Sequence, residues 1–214
     1  MSEFVSRKKF LDLLYSVDYL KVGNICVDWD IINQECNKNV EKYPEYWCSL
    51  VDDKNFEVWD ENGKNYLKSL ANFEKWGYTS HNTKSWETTS IKPKLNMNWE
   101  NKIISKLPLY ESVSRPTLQK PGNIMPWHQD NFAYFKHEYS NLYEYVVRFI
   151  VFQADWDLGH FIQSGNSIIS HWKAGDVIVW YPDRWHLSAN IGISDKWTQN
   201  VTGILKEEFF IDIS

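Results

Sequence analysis

In PWHQDNFAYF, residues 126–135, a histidine and an aspartate stand one residue apart, and a second histidine, His186, follows well downstream in YPDRWHLSAN. Imidazole nitrogens and carboxylate oxygens are the ligands of first-row divalent metals. Within a strand, residues i and i+2 face the same side, so His128 and Asp130 are expected to present their side chains together into a barrel mouth. A rolled sheet brings His186 beside them from another strand. Lys196 lies ten residues beyond His186, after an Asn190-Ile191-Gly192 turn that sends the chain back toward the same end. In a dry pocket an ammonium there binds a distal carboxylate by a charge-assisted hydrogen bond. Taken alone, His128 and Asp130 are also what two polar side chains on an edge strand look like.

Two histidines and a carboxylate on one face leave several metal positions open, as in non-haem Fe(II) oxygenases. The spacing extends the likeness. His128-x-Asp130, the distal His186 and Lys196, with WKAGDVIVWYP before the distal histidine and DKWTQN around the lysine, resemble the prolyl-4-hydroxylase-like branch of the Fe(II)/2-oxoglutarate-dependent dioxygenases. The resemblance covers roughly residues 110–205, and residues 1–109 resemble nothing we can name. It implies a mainly β fold with flanking helices, its core a double-stranded β-helix (jelly roll, cupin-like). It implies Fe(II) on His128, Asp130 and His186, no catalytic side chain beyond these ligands, and 2-oxoglutarate and O2 as co-substrates. Succinate and CO2 are then released as a substrate C–H bond is hydroxylated.

Where the family often has a tyrosine that hydrogen-bonds the co-substrate, nine residues before the first metal histidine, this chain has Gln119. Lys196 is the expected anchor of the distal carboxylate, with Arg148 its rival. Where many relatives have a Gly-Gly turn, Gly159-His160 places an imidazole, which makes His160 a candidate for substrate contact. The likeness suggests a prolyl/peptidyl or other amino-acid substrate; a free amino acid, a nucleobase or a small metabolite stays open. The competing reading is a cupin-like metal- or ligand-binding module without turnover.

Arg148 sits in YEYVVRFIVFQ, with apolar neighbours of both parities, as in a strand covered on both faces. A buried arginine needs an anion, which 2-oxoglutarate, a substrate carboxylate or an acidic side chain supplies. Trp127 and Tyr134 are candidates for the substrate's wall, and Phe132 and Phe135 either close the core or meet the substrate. His171 is expected to pack or cap, and His81 and His137 fall in loops without a role.

Short β-type runs separated by turns such as KPGN, QSGN and WKAGD predict about eight strands from 110 to 205. We take 110–214 as the oxygenase core and 1–109 as a helical/mixed elaboration packing on it, one structural domain overall. In that elaboration the periodicity predicts helices over 4–17, about 29–43, 65–78 and 96–108, the last with an asparagine cap, and strands near 22–27 and 85–92. Residues 44–64 read as mixed loop and short helix.

The chain has 214 residues, enough for one sizeable core. Its 12 Trp, 12 Tyr and 11 Phe must be buried or line a groove. A net charge of -5, without a basic stripe, argues against a nucleic-acid partner. Three cysteines with no CxxC pair, together with no leader-like segment, predict a reduced, cytoplasmic protein, and no apolar run is long enough to predict a membrane span. The expected partner is a peptide or small-molecule substrate, and the sequence sets no oligomeric state.

Overall fold

The computed structural model describes residues 2–49, 74–88, 97–130 and 132–212. The chain opens with β1 (Ser2–Ser6) and α1 (Arg7–Ser16), followed by β2 (Leu20–Asn24) and α2 (Trp29–Lys42). Ser6 caps α1 by accepting from the Lys9 amide, and Asp28 caps α2 by accepting from that of Ile31. Each helix buries a narrow stripe, Phe10 and Leu14 in α1 and Ile32 and Cys36 in α2. Full burial of a Phe or Leu side chain contributes about 1.5–3 kcal/mol. Next come a 3-10 turn (Pro44–Tyr46), β3 (Trp47–Ser49), β4 (Lys84–Glu87) and α3 (Glu100–Ile104).

The core strands are β5 (Leu109–Gln119), β6 (Asn123–His128), β7 (Val146–Phe152), β8 (His160–Ser164), β9 (Ser167–Ile169), β10 (Asp176–Val179), β11 (His186–Asn190) and β12 (Lys196–Leu205). A short helix, α4 (Ala133–Glu138), interrupts them after β6, and β13 (Glu208–Asp212) ends the described chain. The larger sheet runs β2-β10-β7-β12-β5-β4-β3, the smaller β6-β11-β8-β9, all antiparallel. Successive core strands cross between the two sheets, apart from the β8–β9 hairpin. This is the jelly roll expected from the sequence. The first hundred residues add β2 to one edge of its large sheet and β4 and β3 to the other.

Alternation along β7 decides what lies inside. Val147, Phe149 and Val151 face outward and join the core under the helices, with Phe10, Leu14 and Ile32. Ile150 and Phe152 face inward to Ile162, Ile178 and Trp180. On β12 the same parity buries Trp197 and Val201 outside, leaving Lys196, Thr198 and Asn200 for the interior. A strand buried on both faces is what the apolar neighbours of Arg148 predicted.

Several expectations need correction. The helix expected over 4–17 begins at Arg7, because Phe4 and Val5 pair with Phe210 and Phe209 of β13, a strand the sequence reading passed over. The expected asparagine cap near 96–98 is replaced by Trp99, which caps α3 without a side-chain bond. His137, expected in a loop, lies on α4, and the 3-10 segment Ser140–Tyr145 takes the first three residues of the β-type run YEYVVRFIVFQ. Of the helix expected over 65–78, Glu74–Trp76 forms a 3-10 turn and 65–73 lie outside the described residues, as do 50–64 and 89–92. The three cysteines form no disulfide, and no helix among the described residues is long and apolar enough to cross a membrane.

Candidate metal centre

His128 closes β6 and His186 opens β11, and the two are register partners. A register shift at Pro126 and Trp127 lets His128 and Met125 both line the same cavity. The imidazole centroids lie 4.2 Å apart. Each ring is oriented by a backbone carbonyl: Nδ1 of His128 donates to Pro126 O (2.8 Å) and Nδ1 of His186 to Arg184 O (2.9 Å). A carbonyl only accepts, so both rings carry the proton on Nδ1 and offer the Nε2 lone pair to the cavity.

Asp130 was expected on the strand with His128, but β6 ends at His128 and Asp130 follows in the turn. Gln129 ties that turn to the neighbouring loop by donating to Asp183 O. The carboxylate is nonetheless buried beside the rings, with Oδ1 3.7 Å from His186 Nε2. Ligand atoms of His128, Asp130 and His186 lie within 4.8 Å of one another, the one such cluster among the described residues. Oδ1 of Asp130 accepts from Nη1 of Arg148, whose Nε donates to Thr202. Oδ2 is buried with no partner among the described residues. A buried carboxylate with an orphaned oxygen, clustered with two imidazole lone pairs, fits a divalent cation.

Protonation agrees with that fit. Burial, then the neighbouring His186, pushes His128 down to about 3, and burial also lowers His186. Burial alone would raise the Asp130 carboxyl, but Arg148, His186 and His128 together hold it below its ordinary value. Near neutral pH the site therefore presents two neutral imidazoles and a carboxylate.

These groups face a cavity of about 220 Å³. Beside the cavity, Lys196 and Gln119 are register partners on β12 and β5. The Lys196 ammonium is buried and donates to Phe161 O (2.8 Å), Ser188 Oγ (2.6 Å), Ala189 O and Gln119 Oε1 (both 3.2 Å). Burial lowers its pKa well below the usual lysine value. Gln119 and Ser188 line the cavity and the ammonium stands directly behind them. Ser188 Oγ in turn donates to Gln119 Oε1 (2.7 Å).

Other expected contacts lie elsewhere. Arg148 lines the cavity, but its partners are Asp130 and Thr202. His160 is buried against Ser194 O (3.0 Å), bracing the β11–β12 turn, and is not part of the wall. Tyr134 lies on α4, 48% exposed against Phe135 and Tyr139, and Trp127 also stays off the wall. Phe132 and Phe135 close a small core with Val146 and Ile204. The sequence reading missed Arg115, Thr117, Thr198 and Asn200, although strand alternation from Gln119 and Lys196 picks out all four, and Glu87 on β4.

No family model and no curated protein matches the chain. Solved structures with a related fold include a prolyl-4-hydroxylase of Pseudomonas putida, 13% identical over 95% of this chain and 97% of that one, TM-score 0.47. A non-haem α-ketoglutarate-dependent carbocyclase of nogalamycin biosynthesis is 10% identical over 97% and 86%, TM-score 0.46. A viral collagen prolyl hydroxylase of Paramecium bursaria Chlorella virus-1, in complex with 2-oxoglutarate, is 14% identical over 64% and 89%, TM-score 0.42.

Proposed function

We propose that the chain is an Fe(II)- and 2-oxoglutarate-dependent oxygenase that hydroxylates a substrate C–H bond. The observation that carries this reading is the pairing of two ends of one cavity: a His128–Asp130–His186 ligand set with an orphaned carboxylate oxygen, and a buried ammonium behind Gln119 and Ser188. Bound iron supplies the chemistry that couples oxidative decarboxylation of 2-oxoglutarate by O2 to hydroxylation, with release of succinate and CO2.

The chain's own residues bind and orient. His128 and His186 donate Nε2, held in that tautomer by Pro126 and Arg184. Arg148 occupies one oxygen of Asp130 and so presents the other to the metal. Lys196, with Gln119 and Ser188, receives the distal carboxylate of 2-oxoglutarate; the hydroxyl of Ser188 turns its proton from Gln119 toward that carboxylate. Lys196 is preferred to Arg148 as anchor because Arg148 is committed to Asp130. The two also stand far apart: Thr202, the register partner of Arg148, is six residues from Lys196 along β12, roughly 20 Å at ordinary strand rise.

The test is succinate formation from 2-oxoglutarate under O2, with Fe(II) and a panel of peptides, amino acids and small metabolites. Wild-type chain forms succinate, and Asp130→Ala abolishes both metal binding and succinate. A metal-loaded wild type that forms none under any condition is instead a binding module.

A further inference from the structure

The loop that delivers His186 is tied to the start of the chain. The last carbonyls of a helix have no partner within it, and α1 carries no basic side chain in its last turn to supply one. Arg184, far away in sequence, does so: its Nη2 donates to Tyr15 O (3.0 Å) and Val17 O (2.8 Å). A helix C-terminus is the negative end of its dipole and favours a guanidinium there. Nη1 of the same side chain lies 3.9 Å from Oδ1 of Asp18. Asp18 extends the tie to the strand beside His186. Its Oδ2 accepts from Asn166 N (3.1 Å) and Ser167 Oγ (2.8 Å), and its carbonyl accepts from Ser164 Oγ (2.6 Å). Ser164 is the register partner of His186 on β8, and Gly165 N donates to Trp185 O (2.9 Å).

Residues 15–18 therefore grip His186 through the loop before it and through the hairpin next to it. The main chain of Arg184 gives this grip its consequence. Arg184 O accepts from Nδ1 of His186 (2.9 Å), which fixes that ring's tautomer and direction. In the same loop Asp183 O accepts from Gln129, the residue between His128 and Asp130. The His128 ring takes its orientation from Pro126 O, on another strand. Resting on the oxygenase reading above, we infer that Arg184 is a positioning residue of the metal centre: by capping α1 it holds its own carbonyl against His186, so that the N-terminal elaboration sets the direction in which His186 offers Nε2.

The test is ring-nitrogen NMR of the metal-free full chain near neutral pH, followed by calorimetric titration with Mn(II). In wild type both His128 and His186 should carry the proton on Nδ1. In Arg184→Ala, His186 should become a mixture of tautomers while His128 keeps its Nδ1 proton. Mn(II) affinity should fall roughly tenfold, the low end of what lost support behind a metal-bound histidine costs. Arg184→Lys, which keeps a cationic donor for the helix carbonyls, should recover most of both, and Arg184→Gln repeats the comparison where the alanine chain does not fold. An unchanged His186 tautomer in a folded Ala or Gln variant, or equal disturbance of both rings, overturns the inference alone. Failure of both variants to fold would make Arg184 a structural residue only and overturns it too. Wild type that holds both tautomers but binds no Mn(II) overturns the oxygenase reading, and the inference with it.

Discussion

Lys196 is the residue whose environment says most about its role. Its ammonium is buried among four protein acceptors, two of them main-chain carbonyls, and among the described residues no carboxylate side chain pairs with it. Such a cation is expensive to bury, and an anion arriving at Gln119 and Ser188 offsets that cost. Lys196→Met should therefore raise the apparent Kd for 2-oxoglutarate by roughly 10- to 100-fold, the range of a hydrogen bond to a charged group, with metal affinity little changed. Equal loss of metal and co-substrate binding would instead indicate a collapsed barrel end.

His128 and His186 predict a pH dependence of stability. An unfolded imidazole titrates near about 6.5, while burial pushes His128 down to about 3 and lowers His186 as well. Both folded values are depressed. Their contribution is thus complete above the unfolded value and is lost as pH falls from there toward about 3. The urea midpoint of metal-free chain should drop between about pH 7.5 and about pH 5, and less so in His128→Gln. A midpoint flat across that interval in wild type would contradict the placement of these rings.

At the scale of elements, two antiparallel ladders bring the site together: β6 against β11 sets His128 opposite His186, and β5 against β12 sets Gln119 opposite Lys196. The turn into β12 is held by Asn190, which donates to Gln119 O and Ser194 O, and by a close approach of Gly159 to Gly192. Gly159 has φ +86°, and a Cβ there would lie 2.3 Å from Gly192 N. Gly159→Ala should cost roughly 1–3 kcal/mol for the backbone conformation alone, read from denaturant unfolding, and should weaken 2-oxoglutarate binding by displacing the start of β12. Unchanged stability would show that the corner yields freely. Strand number and the four-residue pattern were legible in the sequence because turn residues punctuate it and because spacing along a strand translates into facing side chains. Arg115 and Glu87 were legible only once β5 and β4 were known to be neighbours, since nothing local marks them. Asp130 was placed correctly beside His128 for a partly wrong reason: the strand stops one residue short and the turn delivers the carboxylate. Trp127 and Tyr134, expected in the wall because they adjoin His128 and Asp130 in sequence, and His160, expected at the substrate because it replaces a Gly-Gly turn, do not line the cavity, since neither cue fixes which way a turn or a helix faces.

At the scale of the molecule, the first hundred residues complete the barrel's large sheet on both edges and cover its outer face, which lets β7 and β12 be apolar outward and functional inward. Glu87, contributed by β4, carries that elaboration into the cavity itself. On the proposed function, one cavity holds a metal at His128, Asp130 and His186 and a 2-oxoacid reaching from it to Gln119, Ser188 and Lys196. Anaerobic titration of Fe(II)-loaded chain with 2-oxoglutarate, followed by visible absorption, tests it most directly. Wild type should develop a saturable charge-transfer band of an Fe(II)-chelated 2-oxoacid, missing in Asp130→Ala and requiring far more 2-oxoglutarate in Lys196→Met; iron-loaded wild type that develops no band would contradict the proposed site.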